Sequence, residues 1–190
     1  MRLKKGFYIS VLIAIGMFCS VKGVSQTGNR PRLEIEADPL AYLFKGYSFH
    51  GAVTYSGIRS SLGVFSIEPP EFLQEEPFKV KISGFDFKTD YLFEKLSGWF
   101  AGVQLTFIKD QIELRDRPKM SEDLRGLNIG IRSGYRFMFG KEENGLKGFY
   151  ITPWVGITYN PNPKSVQFDQ EIYRQASWFP FPTIHLGWRF

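Results

Sequence analysis

Apolar and polar side chains alternate with a period of two residues along much of this chain, most clearly at the C-terminal end. Successive side chains of a β-strand point to opposite faces, so an alternating segment is typical of a strand with one apolar face. In the last segment, one face carries Thr183, His185, Gly187 and Arg189, and the other carries Pro182, Ile184, Leu186, Trp188 and Phe190.

The same alternation recurs along the chain and predicts eight strands. Most of these segments are longer than the usual strand of about 5–6 residues. Tilted strands of about 9–11 residues cross a bilayer, and eight is the smallest common number of strands in a closed outer-membrane barrel. We therefore expect an all-β fold, an eight-stranded antiparallel transmembrane up-and-down β-barrel. The predicted strands are residues 32–43, 47–56, 58–67, 82–93, 98–109, 126–139, 148–160 and 179–190.

The connections between the predicted strands support this topology because short and long ones alternate. Outer-membrane barrels have short periplasmic turns and longer outer loops. The connections at 68–81, 110–125 and 161–178 are long, and the second of these mixes charges of both signs, which predicts a solvated loop. The connections around Ser56-Gly57, at 94–97 and at 140–147 are short.

The first connection, residues 44–46, departs from the rule because it is short. Asp38-Pro39 has the pattern of an N-cap followed by proline at the first helical position, and Gly46 is a suitable residue to end a helix. Two interpretations follow: residues 39–45 are either the upper part of the first strand or a short helix.

Residues 1–25 have the order of a secretory signal peptide, with basic residues first, then a short apolar core, then small residues. Cleavage is expected near Ser25-Gln26, which leaves residues 26–190 as the barrel domain. The core is shorter than the roughly 20 residues that a membrane-spanning helix needs. Cys19, the one cysteine, excludes a disulfide framework, and the residues before it fit a lipidation signal poorly.

The formal charge of +5 belongs mostly to this segment, which holds four basic residues and no acidic ones. The remainder has 20 basic and 19 acidic residues and is therefore nearly neutral. Net charge gives no argument for nucleic-acid binding, and no such partner is expected.

A soluble barrel of the lipocalin type would also alternate, but two features disfavour it. Its exterior would be rich in charged and polar residues, whereas the less apolar face here carries many glycines, which suit a narrow lumen. In addition, aromatic residues gather near the strand ends of the apolar face, where membrane barrels carry girdles. These aromatics are Tyr135, Phe137, Phe139, Phe149, Tyr159, Trp188 and Phe190.

The C-terminal residues Ile184, Leu186, Trp188 and Phe190 resemble the insertion signal of Gram-negative outer-membrane barrels, in which apolar residues alternate before a terminal aromatic. Together with the signal peptide and the long strands, they make the chain similar to the small eight-stranded outer-membrane barrel proteins. The resemblance implies recognition by the outer-membrane assembly machinery. We expect an outer-membrane location, contact with outer-membrane lipid, and a monomeric or weakly oligomeric state. The resemblance does not fix an activity, because that class has structural, adhesive, transport and enzymatic members.

If the apolar faces contact lipid, the opposite faces enclose a lumen rich in charge. An eight-stranded barrel has room inside only for side chains, and unpaired buried charges are costly. We therefore expect a network of ion pairs in which the first and last strands are neighbours and His185 or Arg189 lies near Glu34 or Glu36. The predicted network comprises Glu34, Glu36, Asp38, Arg59, Asp86, Lys88, Asp90, Arg132, Arg136 and Arg189.

The most economical functional prediction is a structural or surface-binding barrel. One alternative follows from the resemblance, because some members of that class modify the acyl chains of lipid A with a histidine, a serine and an acid. Here His50 or His185 would be the base, Ser48 or Ser61 the nucleophile, and Glu36 or Asp38 the residue that orients the base. A narrow conduit for small apolar solutes is the other alternative. No nucleophile-elbow, cofactor or metal motif is present, so neither a cofactor nor a metal is expected.

Overall fold

The computed structural model describes residues 30–94, 96–140 and 146–190. Eight antiparallel strands close into a barrel in the order β1-β10-β7-β6-β5-β4-β3-β2, and β8 and β9 form a separate hairpin. The predicted eight-stranded up-and-down barrel is therefore confirmed. The strands are β1 Arg32–Ala37, β2 Tyr47–Tyr55, β3 Ile58–Ile67, β4 Phe78–Glu94, β5 Ser97–Leu114, β6 Arg117–Met138, β7 Gly148–Tyr159, β8 Ser165–Phe168, β9 Glu171–Arg174 and β10 Trp178–Arg189.

The barrel closes where β1 pairs with β10, with Glu34 opposite Arg189 and Ala37 opposite Leu186. On its other side β1 pairs with β2 along its whole length. Each barrel strand thus has two neighbours, which satisfies the backbone groups that an open sheet edge would leave unpaired in hydrocarbon. The ends of the described chain, at Arg30 and Phe190, lie together at one end of the barrel, which we call the lower end.

The first predicted strand is wrong in its second half, because β1 stops at Ala37 and a helix, α1 (Pro39–Leu43), follows. The Asp38 side chain accepts a hydrogen bond from the Leu40 backbone N–H at 2.8 Å, and Pro39 occupies the first turn. The helical interpretation of residues 39–45 is the one that the structure adopts. The reason is local: an N-cap carboxylate and an N-terminal proline both favour a helix start.

The short β1 also explains two prolines in β10, Pro180 and Pro182, that would remove donors from a central strand. The Phe190 N–H donates to the Leu33 carbonyl of β1 at 3.0 Å. Since alternate residues of a strand direct their N–H groups to the same side, the two proline nitrogens also face the β1 side. They lie above Leu186, where pairing with β1 has ended, so no ladder hydrogen bond is lost.

At the upper end, β4, β5 and β6 continue well beyond the predicted strands. The expected solvated loop at 110–125 is wrong: most of it is a β-hairpin in which β5 runs to Leu114 and β6 begins at Arg117. The third connection is likewise shorter than predicted, because β4 begins at Phe78, and it contains a 3-10 helix, Glu71–Leu73. We call residues 78–83, 108–114 and 117–126 the upper extension.

The seventh connection also contains regular structure, the β8–β9 hairpin, which we call the strap. Phe168 of the strap is 2% exposed and packs against Phe78 of the upper extension, with 5.8 Å between ring centroids. The extension and the strap therefore share a small hydrophobic core of their own. Its buried members are Phe78, Val80, Ile112, Leu114 and Phe168.

Three sequence predictions fall wholly or partly outside the described residues. The signal peptide, residues 1–25, lies wholly outside, and the turns at 94–97 and 140–147 lie partly outside. Among the residues that are described, no helix is long and apolar enough to cross a membrane.

Candidate functional site

The outer face of the barrel wall is apolar over its whole circumference. Leu62 on β3 is 63% exposed and Ile131 on β6 is 64% exposed, whereas the charged side chains on the inner face are at most 5% exposed. A water-soluble barrel would have the opposite distribution, since exposing a continuous apolar surface to water is unfavourable. The chain is a transmembrane β-barrel. Its apolar outside and polar inside are those of the outer-membrane type.

Aromatic pairs border the apolar band at both ends, as interfacial girdles do. At the lower end, the rings of Trp99 and Tyr135 lie 5.3 Å apart. At the upper end, Tyr159 lies 4.7 Å from Trp178, the first residue of β10.

At the upper boundary of the apolar band, the apolar residues of each long strand move from its outer face to its inner face. On β5 the outward residue Phe107 is followed, two positions on, by the outward Lys109, while the inward face changes to Ile112 and Leu114. Each long strand therefore has its apolar side outward in the membrane and inward above it. We take the membrane-spanning part of β5 as Trp99–Phe107, and the upper extension lies outside it.

In the lower part of the lumen, Glu34 is the centre of the charge pairs. Its carboxylate accepts hydrogen bonds from Arg59 Nε at 2.9 Å, Arg189 Nε at 2.8 Å and Arg136 Nη1 at 3.1 Å. Thr54 and Tyr150 donate to the same carboxylate, at 2.8 and 3.2 Å. These hydrogen bonds and ion pairs to one carboxylate offset much of the desolvation of the buried charges.

Arg59 extends the network upward from Glu34. Its Nη2 lies 2.7 Å from a carboxylate oxygen of Glu36, and its Nη1 lies 3.2 Å from Asp90. Asp90 also pairs with Arg132, at 3.2 Å. The guanidinium of Arg132 stacks on Trp154, 3.9 Å from the ring centroid, which adds a cation–π contact.

The middle of the lumen holds both histidines. The His50 and His185 rings stack with centroids 4.9 Å apart. His185 Nδ1 lies 3.0 Å from Glu36, and His50 Nε2 lies 2.7 Å from the Lys88 ammonium, which donates to Asp86 at 2.7 Å. The register that places the last strand beside the first brings both Arg189 and His185 against β1.

Asp38 is the member of the predicted charge network that the structure places elsewhere. Its two oxygens accept hydrogen bonds from the Leu40 backbone N–H and from the Thr183 hydroxyl. Within the described residues it forms no ion pair, because its role as the cap of α1 draws it to the top of the lumen.

One cluster has a donor set that a metal could use, which sequence reasoning missed. Ligand atoms of Glu36, His50 and His185 all lie within 4.8 Å of one another. However, Arg59 and Lys88 already contact this cluster, at 2.7 Å from Glu36 and from His50. A divalent cation would have to displace or oppose these two charges, so we assign the cluster to the ion-pair network.

The catalytic hypothesis required a serine within hydrogen-bond reach of a histidine. Ser48 and Ser61 are both buried, and Ser61 has a long contact with Arg59 Nη1 at 3.5 Å. Among the described residues no hydrogen bond joins either serine to His50 or His185. The geometry therefore gives no support to a nucleophile–base pair here.

Above the membrane, a buried polar contact links the strap to the upper extension. Gln175 donates to Asp110 at 2.8 Å and accepts from the Lys164 backbone N–H at 3.0 Å. Burial raises the pKa of Asp110, and the hydrogen bond from Gln175 partly opposes that rise. Burial, together with the charge of Asp110, also raises the pKa of Tyr173.

The residues of the predicted C-terminal insertion signal face outward from β10. Trp188 is 49% exposed and Phe190 54% exposed, in the apolar band, with Ile184 and Leu186 in the same row of side chains. Sequence reasoning missed the neutral residues that complete the lumen. Tyr150 and Trp154 alternate on the inner face of β7, and that alternation is the signal that could have revealed them.

No protein-family model and no curated protein matches the chain. Similar solved structures are outer-membrane barrels at 10–12% sequence identity. Neisserial surface protein A has a TM-score of 0.49 and 10% identity, covering 85% of this chain and 97% of that one. The N-terminal barrel domain of Pseudomonas aeruginosa OprF has a TM-score of 0.46 and 12% identity, covering 86% and 100%. A major outer membrane protein from Thermus thermophilus has a TM-score of 0.45 and 12% identity, covering 85% and 100%.

Proposed function

We propose that this protein is a surface-displayed outer-membrane barrel of structural or binding type, in which the charge-filled lumen is a rigid support and the upper extension is the functional part. The observation that carries the proposal is the burial of the lumen side chains. The charged residues of the predicted lumen network other than Asp38 are at most 5% exposed, and Arg189 is fully buried. A water-filled bore would leave such side chains accessible to solvent.

The neutral side chains of the lumen support the same role. Trp154 lies against Phe181 with centroids 5.1 Å apart, and both pack beside Leu92 and Phe100. Bulky rings at this level, beside the stacked histidines, leave little room for a passing solute. This packing favours a support over the narrow conduit that the sequence also allowed.

The ordered upper end favours a binding role over a purely mechanical one. Loops that only join strands need no core, whereas the extension and the strap bury Phe78, Ile112 and Phe168 together. A rigid platform held above a membrane loses little conformational entropy when it binds a partner.

The proposal also covers how the chain is inserted and the state of the mature barrel. The outward row Ile184, Leu186, Trp188 and Phe190 would be read by the outer-membrane assembly machinery during insertion. The finished barrel would be a monomer in contact with outer-membrane lipid, after removal of residues 1–25.

Cysteine labelling in whole cells tests the topology. Cys19, the one cysteine, lies in the predicted signal peptide, so an introduced cysteine is the sole thiol of the mature chain. We expect a membrane-impermeant maleimide to label Asp116→Cys, at the exposed tip of the β5–β6 hairpin, and not Ser56→Cys, in an exposed lower turn. Labelling of Ser56→Cys alone would reverse the orientation.

Conductance measurements test whether the barrel is a rigid support or a conduit for solutes. We expect the purified folded barrel, inserted in planar bilayers, to give no stepwise ionic conductance, because the lumen charges are paired and packed. Reproducible channel steps from heat-modifiable, folded protein would overturn the support role and favour transport.

A further inference from the structure

The outward face of the upper extension carries a basic cluster immediately above the apolar band. Phe85, Phe107 and Leu127 form one row across β4, β5 and β6, and the next row up contains Lys109 directly opposite Arg125. Lys81 lies one row higher on β4 and is exposed. We define Lys81, Lys109 and Arg125 as the basic cluster.

The chain itself neutralises only one of the three charges of the cluster. Like charges directly opposite in a sheet destabilise the pairing, yet Lys109 and Arg125 are cross-strand partners. Asp123 pairs with Lys109 at 2.8 Å, but neither Arg125 nor Lys81 forms an ion pair within the part of the chain that the structure describes. An external anion would relieve this repulsion.

An open apolar groove crosses the barrel wall from Phe149 and Trp188 on β7 and β10 to Phe85 on β4, and only this last residue lies beneath the basic cluster. Its floor is Gly51, where an added Cβ would meet no atom within 4 Å. Ile35, Phe49, Leu62, Val64 and Phe85 line its sides, and its volume is about 770 Å³. Phe85 belongs both to the groove and to the row beneath the basic cluster.

The distance between the groove floor at Gly51 and the basic cluster suits the length of a lipid molecule. Register places Gly51 level with Leu105 on β5, three strand spacings away, and Lys109 is four residues above Leu105. These steps correspond to about 14 Å across the strands and about 13 Å along them. The two features are therefore about 19 Å apart along the wall, and the line between them is inclined to the membrane normal because the strands of such barrels tilt by about 35–45°. An acyl chain that runs obliquely along the wall, within a leaflet of hydrocarbon about 15 Å deep, would connect them.

We propose that the basic cluster and the groove together form a binding site for a phosphorylated, acylated lipid of the outer leaflet. The phosphate lies between Lys109 and Arg125, with Lys81 beside them, and one acyl chain lies in the groove over Gly51. This inference rests on the membrane placement proposed above. The opposite side of the upper rim, at Trp178 and Phe179, is aromatic, so the site occupies one side of the barrel only.

The test uses the purified mature protein in neutral dodecyl maltoside micelles, with the thermal unfolding midpoint as readout. The probes are diphosphorylated lipid A, the same lipid after phosphatase treatment, and inorganic phosphate. We expect the midpoint to rise with the phosphorylated lipid only. The double variant K109Q/R125Q should bind about 30-fold more weakly, from the loss of two cation–anion contacts at a membrane surface.

Two further variants make the result specific. K164Q/R174Q removes the same charge from exposed positions of the upper end and should respond like the wild type. Gly51→Leu fills the groove floor and should also weaken the response. Heat-modifiability on gels shows that each variant is folded, which separates failure of the site from failure of the membrane barrel.

Three results would overturn the site in folded protein: no midpoint shift in the wild type, an equal shift in K109Q/R125Q, or an equal shift with dephosphorylated lipid. An equal shift with inorganic phosphate would assign the cluster to a free anion and overturn the lipid as its occupant.

Discussion

At the scale of single residues, Glu34 and Arg59 connect most of the lumen charges. Glu34 accepts from three arginines, and Arg59 contacts three carboxylates, those of Glu34, Glu36 and Asp90. Breaking a buried ion pair by removing one partner is strongly destabilising, because the other charge stays buried without compensation. The network therefore depends on its two most connected members.

Replacing Glu34 with Gln is expected to lower the free energy of unfolding by about 3–5 kcal/mol, since three buried guanidinium groups lose their shared counter-charge. Urea unfolding of the refolded barrel in detergent measures the change. Glu75→Gln, at an exposed loop position, is the matched control and should lie within about 0.5 kcal/mol of the wild type. Equal stability of the two variants would contradict a central role for Glu34.

At the scale of the elements, the position of the apolar face along each strand decides where the membrane ends. Phe107 faces outward on β5, whereas Ile112 and Leu114, of opposite parity, face inward to the small core. The sequence contains this change of face. In β4 the apolar residues Val80 and Ile82 occupy even positions, whereas Phe85 occupies an odd one. The many charges of residues 110–125 concealed it, because a charged strand face and a solvated loop have similar composition.

The contact between strap and extension should depend on pH through Asp110. Burial raises the pKa of its carboxyl in the folded state, so the stability that its proton contributes is complete below the unfolded pKa and is lost as pH rises through the folded pKa. Asp110→Asn keeps an acceptor for Gln175 without the charge. We expect it to unfold at a higher temperature than the wild type at pH 7.5 and at a similar temperature at pH 3.

Asp116→Asn is the control for this experiment, because Asp116 is exposed in the turn of the β5–β6 hairpin. It should unfold like the wild type at both pH values. A lower midpoint for Asp110→Asn at pH 7.5 would show that the ionised carboxylate stabilises the contact.

At the scale of the whole molecule, the protein has two parts in which apolar and charged side chains are distributed in opposite ways. In the membrane the charged side chains are inside and the apolar ones are outside, while above it the extension and the strap bury Phe78 and Phe168 as a soluble protein would. The two parts share the long strands β4, β5 and β6, but their cores are separate.

The strap should therefore be removable without loss of the barrel. The Gln175 N–H donates to the Lys164 carbonyl at 2.9 Å, so the two ends of the strap already adjoin. We expect a chain with residues 165–174 replaced by two glycines to keep its heat-modifiability. Trypsin should cut the β5–β6 hairpin at least about tenfold faster, since burial of Phe168 alone contributes about 2 kcal/mol. Loss of the heat-modifiable form would show instead that barrel and extension fold as one unit.

The alternating pattern is enough to predict the eight barrel strands, their up-and-down order and the side of each that meets lipid. A period of two needs no tertiary information, because side chains of a strand alternate whatever its neighbours are. It also identified the candidate lumen charges from Glu34 to Arg189, since they share the polar face. Asp38-Pro39 carried a helix signal too, but an alternating strand pattern competed with it.

The contacts between charges and the direction of the Asp38 side chain could not be predicted from this pattern. Register across the closure fixes those contacts: Glu34 lies beside Arg189 because β1 pairs with β10, and no local pattern encodes the offset between strands distant in the chain. The same holds for the strap, whose Phe168 needs the inner face of the extension to be buried. Local alternation specifies a face, but a contact between two faces exists only after the barrel has closed.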